Sequence, residues 1–144
     1  MQNEMTVENI REELLRNGKF FRAILEGTPA EKRRWKPRPE SWSLLEIVCH
    51  LRDEEREDFR ARIRHILEGT PGPLPPIDPE GWVSERNYAG QDFDTALREF
   101  LTERSRSVEW LEVLGEVDWS AHYVHPKFGK LSARLFLHNW LAHD

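Results

Sequence analysis

Hydrophobic residues recur every three or four positions in four stretches of this chain, and polar segments containing proline or glycine separate the stretches. Residues with this spacing share one face of an α-helix, so each stretch predicts an amphipathic helix. The predicted helices cover residues 6–27, 43–69, 92–115 and 132–144. No segment shows a convincing alternation of apolar and polar residues. We therefore expect an all-α four-helix bundle that forms a single domain over residues 1–144.

The second helix has the clearest start. Ser43 is followed three residues later by Glu46, the pattern of a capping box, and Trp42 can pack against Ile47 as a hydrophobic staple. The other predicted caps are Thr6, either Asp92 or Asp94, and Ser132. These residues define where each helix is expected to begin.

Charged residues within the helices are expected to face solvent. Asp53, Glu54 and Glu57 lie on the charged faces of the second helix and can form ion pairs one turn apart. Arg104 interrupts the apolar stripe of the third helix. Its stem can cover core surface while its head reaches solvent or an acid such as Glu103, which is the interpretation we favour over an anion-binding role.

Two segments between the helices contain many residues that break regular structure. Residues 69–91 are rich in proline and glycine, so we expect a long loop that is functional or crosses between layers of the bundle. Within it, Trp82, Asn87 and Tyr88 can line a pocket, although burial that pins the loop is favoured. Residues 117–130 can form a short hairpin, but Pro126 and Gly129 favour a loop, so we expect a strand content near zero.

Composition excludes several classes of protein. The formal net charge is -5 and both signs are interspersed, so there is no basic stripe to bind nucleic acid. Apolar runs are too short to cross a membrane, and the N-terminus lacks the apolar core of a secretory signal, which predicts a cytoplasmic protein. Cys49 is the only cysteine, so the chain forms no internal disulfide and no cysteine-rich zinc site.

The histidines are the candidate metal ligands. His50 lies at the edge of the apolar stripe of the second helix, and histidines on facing helices can converge inside a bundle. Glu54, one turn later, can accept the second ring N–H of a ligating His50 or act as a base on bound water. The alternative is a buried His50 that is simply hydrogen-bonded to Glu54. In the last helix, His138 and His143 lie about 140° apart, so at most one of them points inward with His50.

The remaining histidines are expected to be peripheral. His122 and His125 fall in the 117–130 segment and are expected to be exposed to solvent. His65, late in the second helix, is expected to lie on the surface.

These motifs resemble the DinB-like superfamily, which includes relatives of metal-dependent thiol S-transferases. The resemblance covers nearly the whole chain. It is most specific at residues 42–54, which read Trp-Ser-Leu-Leu-Glu-Ile-Val-Cys-His-Leu-Arg-Asp-Glu, and at the ending Trp-Leu-Ala-His-Asp. The resemblance implies a DinB-like four-helix bundle with a divalent metal, often zinc or nickel, held by one histidine of the second helix and a His-x-x-x-His pair of the last.

In this sequence His50 matches the first ligand and His143 the second, while His138 matches none. The third ligand would fall at position 147, after Asp144. The last helix also reaches Asp144 without a stop signal, so we expect the chain to be cut within that helix. Metal binding is then expected to be weak or absent, unless water, Asp144 or a second chain completes the site.

Two functions are compatible with these residues. The first is a metal-dependent thiol S-transferase or hydrolase that activates a thiol or water, with His50 and His143 as ligands, Glu54 near the metal and Arg104 as an anchor for a substrate carboxylate. Its partner would be a small-molecule thiol or electrophile. The second is a non-catalytic, stress-associated binding or dimerisation bundle. A homodimer is expected in either case, because six tryptophans are more than one small core easily hides.

Overall fold

The computed structural model describes residues 5–144 and consists mainly of helices. Its elements are α1 (Val7–Leu25), α2 (Ala30–Arg33), α3 (Leu44–Glu57), α4 (Phe59–Leu67), α5 (Pro79–Glu85), a 3-10 turn (Tyr88–Gly90), α6 (Phe93–Val113), β1 (His122–His125), β2 (Gly129–Ser132) and α7 (Ala133–His143). The four members of the bundle are α1, α6, α7 and the broken helix that α3 and α4 form together. Going around the bundle, α1 packs against α6, α6 against α3, α4 against α7, and α7 against α1. The expected four-helix bundle is confirmed.

Local capping explains where the long helices begin. Ser43 Oγ accepts a hydrogen bond from Glu46 N, and Glu46 Oε1 accepts one from Ser43 N, so the predicted capping box is present. Thr6, Asp92 and Ser132 cap α1, α6 and α7 in the same way, each through its side-chain oxygen. The open choice between Asp92 and Asp94 is thereby resolved in favour of Asp92.

The predicted second helix is divided in two. At Asp58 the backbone leaves the helical region, with φ of -106° and ψ of -97°, and α3 gives way to α4. The chain has neither proline nor glycine at this point, so the sequence gives no signal for the break. Ile47, which was expected to pack against Trp42 as a hydrophobic staple, is 37% exposed.

The breaker-rich segments contain regular structure that was not expected. In the 69–91 segment, Asp78 caps α5 through a hydrogen bond from Gly81 N, and Pro79 occupies the first helical position, where no amide hydrogen is needed. Trp82 and Tyr88 are buried against α3, which is the pinning role favoured for them.

The expectation of near-zero strand content is also wrong. β1 and β2 form an antiparallel hairpin in which His125 pairs with Gly129. Pro126 lies in the connecting turn, outside the ladder, and Gly129 takes a positive φ of 72° that suits a three-residue hairpin loop. Pro126 and Gly129, which favoured a loop in the sequence analysis, therefore form and close the turn of the hairpin.

The core has two parts. One lies between α1, α4, the second half of α6 and α7, and includes Ile10, Ile63, Val108 and Trp140. The other lies between α3, α5 and the first half of α6, and includes Val48, Trp82 and Phe100. Among the residues described, no helix has the length and apolar character needed to cross a membrane.

Candidate metal centre

His50 and His143 meet at one side of the bundle. His50 lies in the second turn of α3 and His143 is the last residue of α7. Their Nε2 atoms are 3.1 Å apart, and the ring centroids are 5.1 Å apart with an angle of 49° between the planes. The stacking of Phe59 on Trp140, with 5.9 Å between ring centroids, holds α7 against the start of α4 and so brings His143 to His50.

The separation of the two Nε2 atoms suits a shared metal ion. Two imidazole nitrogens that each lie about 2.0–2.1 Å from a tetrahedral zinc ion are about 3.3 Å apart. The same separation also suits a direct hydrogen bond, in which one neutral ring donates and the other accepts. The donor atoms therefore fit two positions of a metal site, and their role as ligands stays a prediction.

The protonation state of His50 is compatible with metal binding. Burial and the neighbouring His143 lower the pKa of His50 to about 4, so the ring is neutral at pH 7. Neutral imidazole is the form that binds metal. The Trp42 ring lies 4.9 Å from that of His50, and the Phe59 ring 5.3 Å from that of His143, so aromatic groups flank the pair. His143 itself is exposed, which leaves the pair open to solvent on one side.

Glu54 lies one turn after His50 but does not pair with it. His50 Nδ1 and Glu54 Oε1 are both buried, and neither has a hydrogen-bond partner in the described part of the chain. The expected hydrogen bond between these side chains is therefore absent, because the carboxyl group of Glu54 pairs with that of Asp58. Burial and the Asp58 carboxyl group raise the pKa of Glu54 to about 9. At neutral pH Glu54 holds a proton, which favours a proton donor over a base.

Arg104 is a buried structural residue whose head pairs with acids, as the favoured interpretation expected, although these acids are Glu55 and Asp144 and not Glu103. Its Nε and Nη2 donate to Glu55 Oε1 at 3.1 and 2.8 Å, and its Nη2 also donates to Asp144 Oδ1 at 2.6 Å. Its Nη1 donates to Leu14 O at 2.9 Å and to Asp144 Oδ2 at 2.8 Å. All five N–H groups of the guanidinium are thus used inside the protein. None remains for a substrate carboxylate, and Glu103 pairs with other arginines.

The sequence interpretation missed Glu55, which lies beside the candidate site. Its Oε1 accepts hydrogen bonds from Arg104 and from Trp140 Nε1, the latter at 2.7 Å. This buried cluster of Glu55, Arg104, Trp140 and Asp144 joins α3, α6 and the end of α7. A signal was present, because Glu55 follows Val48 by seven positions and Leu51 by four, and so lies on the apolar stripe of α3.

The three acidic residues Asp53, Glu54 and Glu55 are all buried, which corrects the expectation that the acidic face of α3 is solvated. Asp53 accepts hydrogen bonds from Tyr88 OH at 2.5 Å and Arg52 Nε at 2.9 Å, and Arg86 Nη1 lies 3.1 Å from it. These contacts attach the 79–91 segment to α3. Acidic residues in this helix therefore organise its neighbours.

Other candidate groups lie away from the pair. His122 is exposed on β1, whereas His125, expected to be exposed, is half-buried. His65 is half-buried, with its ring centroid 6.3 Å from that of Tyr123, and His138 is half-buried on α7. Asp144 is held by Arg104 and Asn17. Over residues 5–144, no group of three histidine, cysteine or acidic side chains could hold a metal ion.

Cys49 is a buried core residue. Its side chain is fully buried beside Gln91 Oε1, which lies 3.7 Å from Sγ. Burial raises the pKa of the thiol to about 11, so the group remains protonated and poorly nucleophilic at neutral pH.

This chain belongs to the DinB superfamily, whose family model matches residues 13–144. Among solved structures, it is similar to YfiT from Bacillus subtilis, described as "a probable metal-dependent hydrolase with an unusual four-helix bundle topology". The two superimpose with a TM-score of 0.81 over 99% of this chain and 83% of YfiT, at 15% sequence identity. At this identity the likeness establishes a shared fold. No curated protein matches the chain.

Proposed function

We propose that this protein is a metal-dependent hydrolase that binds a divalent ion through His50 and His143. The observation that carries the proposal is the approach of two ring nitrogens to 3.1 Å, from helices far apart in the chain. The description of YfiT as a probable metal-dependent hydrolase supports this class of activity. A thiol S-transferase activity on a small thiol and an electrophile is the finer alternative, since the same ion would activate either nucleophile.

The residues around the pair have distinct tasks in this proposal. His50 and His143 would hold the ion, and nitrogen ligands suit zinc and nickel. When bound, such an ion lowers the pKa of a coordinated water or thiol toward neutrality. Trp42 and Phe59 shield the rings from solvent on two sides, while exposed His143 leaves an approach for a substrate. Glu54, which holds a proton at neutral pH, would serve as a proton donor.

One observation favours a second candidate, a bundle that does not catalyse a reaction. Catalytic zinc sites usually have three protein ligands, and the residues described here supply two. A protein with only this pair would bind metal weakly and could act through binding or dimerisation alone.

The test is an activity screen on metal-loaded protein. Purified protein is incubated with zinc or nickel and assayed with carboxylic ester and amide substrates, and separately with small thiols and an aryl halide. We expect metal-dependent turnover of at least one substrate that His50→Ala and His143→Ala abolish. His122→Ala, which changes an exposed histidine of β1, is the matched control and should keep full activity. Turnover that survives both ligand substitutions would contradict the proposal, and bound metal without turnover would favour the non-catalytic bundle.

A further inference from the structure

A surface cavity lies apart from the histidine pair. It has a volume of about 350 Å³, is open to solvent on one side, and is bordered by the β1–β2 hairpin, residues 73–77, α4 and α7. Neither His50 nor His143 lines it. Its size is at the lower end of small-molecule sites, which suits a ligand of modest size.

Most of the cavity wall is apolar. Leu74 and Phe136 are buried residues that form its inner side. Phe128, from the turn of the hairpin, is 65% exposed and forms the outer side. A wall of this kind accepts the apolar body of a ligand, since its burial removes apolar surface of both partners from water.

Arg62 supplies the cation of the cavity. Its Nη2 donates to Pro75 O at 3.1 Å, and its guanidinium carbon lies 5.8 Å from the centre of the Phe136 ring. Its Nε is buried and has no hydrogen-bond partner among residues 5–144. Asp58 Oδ1 is 3.5 Å from Nε, an ion-pair distance that is too long for a good hydrogen bond. Pro75 and Asp58 thus hold Arg62 in place through Nη2 and the buried Nε. Its Nη1, which donates to no acceptor among residues 5–144, is the donor left for a ligand, unlike in Arg104.

His125 adds a second donor. Its Nδ1 accepts hydrogen bonds from Lys127 N at 3.0 Å and Phe128 N at 3.2 Å. With Nδ1 accepting, the proton of the neutral ring lies on Nε2, which is then a donor. The amide of Asn139 is the third polar group at the cavity. A set of donors against an apolar wall matches a ligand that has acceptor oxygens and a negative charge at one end.

We propose that this cavity binds a small amphipathic carboxylate, with an aryl or branched-alkyl body against Leu74, Phe128 and Phe136 and its carboxylate at Arg62 and His125. Carboxylate is the group whose planar oxygens pair best with a guanidinium. The site goes beyond the metal-dependent activity and does not depend on it, because no residue of the histidine pair takes part.

The test is calorimetric titration of phenylbutyrate into the full chain in the presence of a metal chelator. Phenylbutanol, which has the same body and no charge, is the matched ligand. We expect saturable binding of phenylbutyrate, with affinity about tenfold weaker for the alcohol and for Arg62→Gln, because each change removes a hydrogen bond to a charged group. Phe128→Ala should also weaken binding. Arg98→Gln and Val124→Ala are the matched controls, an exposed arginine of α6 and an exposed apolar residue of the same hairpin that do not line the cavity.

Two results would overturn the proposal. One is the absence of saturable binding of phenylbutyrate up to millimolar concentration. The other is equal affinity for phenylbutyrate and phenylbutanol, which would show that the cavity does not recognise the carboxylate. The comparison of the two ligands uses the unsubstituted protein, so it remains decisive even if Arg62→Gln fails to fold by circular dichroism.

Discussion

Glu54 lies inside the bundle with a carboxyl oxygen that has no hydrogen-bond partner in the described structure. Its side chain faces Asp58, so two carboxyl groups share a site in which both cannot easily be ionised. Burial lowers the pKa of the nearby His50, whereas it raises that of Glu54, and the lowered pKa keeps the imidazole of His50 neutral. Both residues are thus uncharged at neutral pH, and burial is the first cause in each case.

The raised pKa of Glu54 makes the stability of the fold depend on pH. Its pKa of about 9 in the folded protein lies above the ordinary value of 4.5, so the protonated form stabilises the fold. This contribution is fully present below pH 4.5 and is lost as the pH rises through about 9. We expect the free energy of unfolding, measured by urea denaturation, to fall between neutral pH and about pH 9.

Two substitutions of glutamate by glutamine test whether Glu54 causes this pH dependence of stability. Glu54→Gln keeps an uncharged side chain at every pH, so its stability should change less over the same range. Glu109→Gln, at an exposed position of α6, should follow the unsubstituted protein. Equal pH dependence in all three proteins would show that Glu54 ionises normally.

Prediction from sequence succeeds for a single residue when its position on a helix determines its direction. His50 was expected at the edge of the buried stripe, at most one of His138 and His143 was expected to point inward with it, and the family resemblance implied His143. The rings of His50 and His143 do meet. The pairing of Arg104 with Glu55 was not predicted, because the burial of each residue depends on the other across α3 and α6. The burial of a charged side chain can be predicted only when its ion-pair partner is known.

At the scale of elements, the start of α3 is the boundary on which His50 depends. The Ser43 hydroxyl accepts from Glu46 N, and Lys36 Nζ lies 2.9 Å from Glu46 Oε1. We expect Ser43→Ala to lower the free energy of unfolding by about 1 kcal/mol without loss of the fold. Urea denaturation measures this. Ser105→Ala, at an exposed position within α6, is the control and should be close to neutral. An unchanged midpoint for Ser43→Ala would mean that α3 begins elsewhere.

Elements with strong periodicity were predictable, and short elements were not. The four amphipathic stretches each became a helical layer because their apolar faces must be buried together. α5 and the hairpin have too few residues to show a period, and their prolines lie at a helix start and in a turn. The division between α3 and α4 at Asp58 has no local signal in the sequence.

At the scale of the whole molecule, the cluster around Arg104 joins three layers of the bundle. Arg104 and Glu55 are both almost fully buried, so removing one partner leaves an uncompensated charge in the interior. We expect Arg104→Met to destabilise the protein by about 3–5 kcal/mol, as measured by chemical denaturation. Arg98→Met, at an exposed position of the same helix, should have little effect. If the two substitutions cost the same, the buried cluster does not stabilise the fold.

Homodimerisation remains a prediction at this scale. Trp82, Trp119 and Trp140 are buried in the core, but Trp35 is 66% exposed, and Phe20 and Ile24 of α1 are 63% and 55% exposed. Covering such residues is a common reason for association. We expect sedimentation velocity at micromolar concentration to give the mass of two chains. A single species with the mass of one chain would contradict this.

The central claim is that His50 and His143 bind one divalent ion together, and calorimetric titration with zinc or nickel tests it most directly. We expect the unsubstituted chain to bind with a stoichiometry of about one, weakly for a site with two protein ligands. His50→Ala and His143→Ala should each remove this binding, while His122→Ala should leave it unchanged. Equal binding by all four proteins would contradict the claim, because the ion would then lie elsewhere.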